Sequence, residues 1–131
     1  MREILFRGKQ PVTNEWVYGA LITEKSPFDK NLVMTHIYDE NCNEILVDPR
    51  SVGQYIDLKD KNGNMIFEGD FVIEVKGLSD VPGLIVFDDF RFQMKWRNID
   101  KFIIDCPRYY EIVGNKYDNP DLNKVWEDST L

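Results

Sequence analysis

The residues of this chain that could carry chemistry are few, and their neighbours do little to support them. His36 is the one histidine, so any base-assisted nucleophile must be built around it. A nucleophilic mechanism needs a base, a third group that orients the base, and donors for an oxyanion. Cys42 is the thiol nearest in sequence, across the turn expected over residues 39–43, and no orienting group or oxyanion hole accompanies the pair. A packed or surface histidine accounts for His36 better. Structural zinc requires three or four Cys/His ligands, and His36, Cys42 and Cys106 lack ligand spacing. Two distant cysteines without a CxxC pair read as reduced thiols. Asp39-Glu40, Asp88-Asp89 and Asp118 offer oxygens, but not the alternating pattern of a calcium loop, and read as solvated turns. Gly63, Gly69 and Gly77 have neither the spacing nor the strand-to-helix setting that cradles phosphate. The expectation is a non-enzymatic chain with no cofactor and no metal.

Two constellations remain. Glu68 and Asp70 flank Gly69, and the better account of the pair is structural, with the Asp70 carboxylate accepting backbone N–H groups at a corner. The other lies over residues 90–97, where Phe90, Phe92, Met94 and Trp96 alternate with Arg91, Gln93, Lys95 and Arg97. On a strand one set faces a core and the other faces water. Arg91, Lys95 and Arg97, joined by Lys101, form the candidate surface for single-stranded nucleic acid, since small barrels grip such strands with basic and aromatic side chains. Against that stands the bland account of a wet face salt-bridged to acidic neighbours.

Charge decides between them. With 16 Lys+Arg against 23 Asp+Glu, the chain carries a net −7, and its long-range field repels polyphosphate and anionic lipid. Nucleic acid is therefore the alternative partner and a protein surface the first. An acidic mimic that occupies a host nucleic-acid enzyme fits the net charge as a third class. No apolar run is long enough to span a bilayer and the N-terminus lacks a signal peptide's apolar core, so the expected location is the cytoplasm. The 131 residues, 43% hydrophobic and 13% aromatic, suffice for one folded unit of two small lobes, and the aromatic content suits pleated sheets.

Those lobes are organised around residues 51–72. Asn62-Gly63 has the composition of a type I′ turn with two positive-φ residues, flanked by strand-forming residues. Gly69 then permits a sharp bend before a new strand that begins near Phe71. The words Val52-Gly53-Gln54-Tyr55, Leu58-Lys59-Asp60-Lys61-Asn62-Gly63 and Phe67-Glu68-Gly69-Asp70-Phe71-Val72 resemble the signature of the YopX family, small proteins associated with phages and prophages. Met1-Arg2-Glu3-Ile4 through Phe6-Arg7-Gly8-Lys9, Glu15-Trp16-Val17-Tyr18-Gly19 and Ile112-Val113-Gly114-Asn115-Lys116-Tyr117-Asp118-Asn119-Pro120 follow the family's order. The resemblance implies a mostly β protein with an SH3-like barrel portion and brings no established activity. Ile56-Asp57 departs from it: family members often have Thr-Gly there, a more permissive backbone.

Along the chain, strands are expected over residues 2–7, 16–23, 32–38, 44–47, 71–76, 84–87, 90–96 and 109–117, with 101–105 either strand or helical turn. Residues 8–14 are expected to turn, Asp48-Pro49 to stop a strand, and Gly114 to mark a bulge. Asn119-Pro120 and Asp121 have the chemistry of a helix start, giving a short helix to about Trp126. The expected architecture is mainly β: an N-terminal β lobe (1–50), a C-terminal SH3-like barrel portion (51–118), and a short helix and tail (119–131). The function expected of it is a non-enzymatic phage or prophage accessory protein that works as a protein-interaction module, with homo-oligomerisation as one form of that.

Overall fold

A computed structural model of the chain describes residues 2–75, 81–96, 100–102 and 109–128. The chain divides into two compact units, Met1–Tyr55 and Ile56–Leu131. It is mainly β, with antiparallel pairing throughout and one short helix among the described residues. No described helix is long and apolar enough to cross a membrane.

The first unit holds β1 (Phe6–Lys9), β2 (Trp16–Lys25), β3 (Val33–Tyr38), β4 (Glu44–Leu46) and the start of β5 (Asp48–Lys59), in the sheet order β4-β3-β2-β1-β5. β2 serves two partners. Its first half faces β1, with Trp16 opposite Lys9, and its second half faces β3, with Ile22 opposite His36. It is the interior strand that its two-sided apolar pattern predicts.

Two boundaries differ from expectation. Gly8 continues β1 instead of opening a turn, because Val47 packs over it: a Cβ on Gly8 would stand 2.8 Å from a Val47 methyl. β4 ends at Leu46, just before Asp48-Pro49 as expected, but Pro49 opens no loop. It sits second in β5, where a missing N–H is tolerated, and the Ser51 hydroxyl accepts the Lys9 N–H at 2.8 Å beside the register shift of the β1–β5 ladder.

The second unit begins inside β5 and turns back through β6 (Met65–Phe67). Of the turn residues only Gly63 has positive φ, at 82°. The expected pair of left-handed residues is replaced by a side-chain device in which Asp60 Oδ1 accepts the N–H groups of Asn62 and Asn64, both at 2.9 Å. The remaining strands are β7 (Asp70–Glu74), β8 (Gly83–Asp88), β9 (Arg91–Lys95), β10 (Asp100–Phe102) and β11 (Tyr110–Asn115), in the order β10-β9-β8-β7-β11. Ile56, Ile66, Val72, Ile85, Met94, Trp96 and Tyr110 form the core. The Gly69 corner behaves as its sequence predicts: φ is 90°, and the buried Asp70 carboxylate accepts the Phe67 N–H at 2.8 Å.

β11 carries the expected irregularity at Gly114, where its register against β7 shifts. Helix α1 (Pro120–Glu127) follows. Asn119 precedes it but does not cap it with its side chain; Asn119 Oδ1 instead accepts the Asn115 N–H at 2.9 Å, tying the end of β11 to the helix start. Trp126 anchors the last turn by donating its indole N–H to the Lys95 carbonyl at 2.7 Å.

Asp57 adopts φ of 66° in the middle of β5, at the position where the resembled family often carries glycine. An L-residue with a Cβ pays for that conformation and glycine does not. Asp57→Gly is therefore expected to raise stability by about 0.5–1 kcal/mol in urea unfolding, the relief of the Cβ clash exceeding glycine's extra chain entropy. A loss of stability would mean that the exposed Asp57 side chain contributes an interaction worth more than the strain.

Candidate functional site

The β8–β9 hairpin brings together the sequence-predicted basic residues and an unpredicted feature at its tip. Asp88 pairs with Arg91, leaving Asp89 and Phe90 as a two-residue loop. Their φ angles are 51° and 64°, the two left-handed positions of a type I′ turn, where Asn-Gly is the favoured pair. The alternation over residues 90–96 predicts Phe90 in the strand with its ring toward the core. The strand starts at Arg91 instead, and Phe90 is 98% exposed. Next to it Phe87 is 55% exposed, its ring edge-on to Phe92 at 5.1 Å between centroids.

The opposite face differs from a row of wet cations. Arg91 is exposed, but Gln93 is only 1% exposed and donates its amide to the Asp88 carbonyl at 3.0 Å, so the middle of that face is closed. Lys95 is half-buried, with Nζ 3.4 Å from the Asp88 carboxylate. The backbone of Lys101 lies in β10 opposite Met94, while Arg97 and the Lys101 side chain lie outside the described residues. The hairpin therefore presents one exposed cation among its described residues beside two carboxylates and two exposed rings. Alternation alone could not reveal this, because it treats every polar position as wet, and a glutamine beside a turn carbonyl can be satisfied indoors.

His36 lies on one face of β3, with Nδ1 3.6 Å from Glu44 Oε1 on β4. Cys42, the thiol nearest to it in sequence, is exposed at φ 65° in the intervening turn. Cys106 lies outside the described residues. Among the described residues no group of three or more His, Cys, Asp or Glu side chains is placed to hold a metal. Sequence reading also missed a cation–π stack in the first unit: the Arg7 guanidinium stands 4.6 Å and the Lys9 ammonium 5.3 Å from the Trp16 ring centroid. The signal was there in the i, i+2 spacing of Arg7 and Lys9 on one side of β1, once Lys9 is set opposite Trp16.

No curated protein matches the chain. A solved structure, the crystal structure of protein EF1440 from Enterococcus faecalis, matches with a TM-score of 0.57 at 21% identity, covering 93% of this chain and 99% of that one. That likeness is one of fold. With the motif words around Asn62-Gly63 and Phe67-Glu68-Gly69-Asp70 in their structural places and the family match running over residues 5–124, the chain belongs to the YopX protein family.

Proposed function

We propose that this protein is a non-enzymatic protein-interaction module, a phage or prophage accessory protein acting in the cytoplasm of the host bacterium, with self-association as one form that the interaction takes. The single observation that carries the reading is Phe90. Its ring is 98% exposed and gives the fold almost no buried area, yet its backbone sits in a left-handed conformation that a bulky residue occupies only at a cost. A turn selected for stability alone would have glycine there. An aromatic ring on a rigid two-residue loop suits an anchor that becomes buried in a partner's pocket. We further read the C-terminal unit as SH3-like. Its support is the strand order, in which β7 to β10 form a meander and β11 returns beside β7.

Phe90→Gly separates fold from function. The variant is expected to gain about 0.5–1 kcal/mol in urea unfolding while losing association. Association is read as sedimentation over a range of concentrations and as partner recovery in affinity capture from the native host during phage induction. An unchanged oligomeric state together with unchanged recovery would end the reading for this hairpin. The alternative, nucleic-acid binding through the Arg91, Lys95, Arg97 face, predicts a salt-sensitive anisotropy change with labelled single-stranded DNA that changing these residues to Glu removes. It is the weaker reading because Asp88 and Asp89 flank the same surface.

A further inference from the structure

β4 is the terminal strand of its sheet. In the β3–β4 hairpin the Val47 N–H bonds to the Thr35 carbonyl and the Asp39 N–H to the Asn43 carbonyl, both at 3.0 Å. Antiparallel bonding alternates, so Ile37 and Ile45 form the hydrogen-bonded pair between them. Glu44 and Leu46 therefore turn their backbone N–H and C=O groups away from β3, toward the outer edge. Edges are commonly protected by shortness, charge, lysine or proline; Glu44-Ile45-Leu46 is short and carries one acidic charge, but has neither lysine nor proline.

An open apolar groove of about 410 Å³ lies at the Leu46 end of this strand, lined by Pro11, Leu32, Val33, Met34, Leu46 and Pro49 among others. Leu46 is 49% exposed, and Leu32 and Val33 are similarly uncovered. Its two ends differ in charge: Lys25 stands opposite Val33 and Lys9 opposite Asp48, whereas the turn end of the hairpin is acidic. Residues 31–49 hold four acidic side chains, Asp39, Glu40, Glu44 and Asp48, and no Lys or Arg. Asp48 is paired with Arg50 at 2.7 Å, which leaves Asp39, Glu40 and Glu44 to set the field at the turn end of the hairpin. The Asn43 and Asn41 N–H groups bonded to Asp39 hold its carboxyl below the usual carboxylate range, so it remains charged.

We infer that the β4 edge and its groove receive an extended segment of a partner protein in which apolar side chains alternate with Lys or Arg. The segment adds a strand against Glu44 and Leu46, seats an apolar side chain beside Leu46 and Met34, and sets its cations against the acidic turn. A second copy of this chain is the poorer occupant, because its Glu44-Ile45-Leu46 edge brings no Lys or Arg to set against the acidic turn. The site is separate from the Phe90 hairpin, and either can fail alone.

The test titrates the full-length, isotope-labelled chain with three capped heptapeptides. The first is acetyl-Lys-Leu-Lys-Val-Lys-Leu-Lys-amide, the second replaces every Lys with Glu, and the third is the first N-methylated at alternate residues to remove the strand-pairing donors. The first should bind with a Kd on the order of 100 µM and shift the amides of Glu44, Leu46 and Met34. The other two should bind at least tenfold more weakly. Leu46→Lys and, independently, Glu44→Lys should each weaken the first peptide at least tenfold with unchanged thermal unfolding, while Phe90→Gly should leave it unaltered. No saturable shift up to about 1 mM, equal binding of the Glu peptide, or indifference to N-methylation would overturn the proposal. Concentration-dependent shifts at Glu44 and Leu46 in the protein alone would overturn it in favour of a second copy, and would leave the association reading standing.

Discussion

Asp60→Asn should cost about 3 kcal/mol, roughly a fifth to three fifths of the stability of an ordinary small protein. Asp60 is 5% exposed, and both its oxygens are used. Oδ1 accepts from Asn62 and Asn64 at 2.9 Å, and Oδ2 accepts the Ile112 N–H at 3.1 Å across 52 residues of sequence. Beside it the Lys61 N–H bonds to the Tyr110 carbonyl at 2.9 Å. The tip of the β5–β6 hairpin thus straps the outer edge of β11 with one backbone and one side-chain bond. An asparagine keeps the size and shape of the side chain but has only one acceptor oxygen. Its NH2 must face either the two turn N–H groups or that of Ile112, and a buried donor opposed by a donor loses its bond and its hydration together. Chemical unfolding followed by tryptophan fluorescence measures the loss, and hydrogen exchange at the Ile112 amide shows whether the strap is what failed. A cost below about 1 kcal/mol with Ile112 still protected would mean that the carboxylate is not what fastens the turn.

That strap marks the limit of what one sequence discloses. The Gly69 corner and its Asp70 acceptor, the interior character of β2, the irregularity at Gly114 and the helix after Asn119 were legible because each is local, set by residues within a few positions of one another. Asp60 reads locally as an ordinary turn residue, and its bond to Ile112 depends on a register that no neighbouring residue specifies. The same holds at Gly8, whose need for glycine comes from Val47, a strand away. Phe90 fell out of the predicted strand because the type I′ turn takes its two residues from whatever follows Asp88, and turn register outranks side-chain alternation in a two-residue loop. Its exposure could not be read in advance: an aromatic in an alternating run is nearly always assigned to the core. The candidate basic face was partly legible, with Arg91 found exposed, while burial of Gln93 followed from a carbonyl that only the folded hairpin brings within reach.

Gly19→Ala should cost about 3 kcal/mol or more, well above Gly8→Ala in the same unit. Gly19 lies on β2 opposite Phe6, and its φ is not in the left-handed region, so the cost is one of space. A Cβ there would fall on the Tyr38 carbonyl oxygen, 2.8 Å from the Tyr38 carbonyl carbon and 3.1 Å from the Asp39 Cα. Those atoms are backbone and cannot rotate aside. They also begin the turn in which Asp39 gathers the N–H groups of Asn41 and Asn43, so the whole β3–β4 hairpin would have to shift. Gly8→Ala meets only the Val47 side chain, at 2.8 Å, and should cost about 1–2 kcal/mol as that residue repacks. Gly63→Ala meets nothing within 4 Å but is held at φ 82°, and should cost about 1 kcal/mol from backbone strain alone. Urea unfolding of the three variants should therefore rank Gly19 first by a clear margin. Because the displaced hairpin carries Glu44 and Leu46, Gly19→Ala should also abolish the Lys-peptide shifts at temperatures where the variant remains folded. Gly63→Ala, in the other unit, should preserve them. Were Gly19→Ala as mild as Gly63→Ala, the close approach of β2 to the Tyr38 carbonyl would not exist in solution, and the edge presented by β4 would have to be placed afresh.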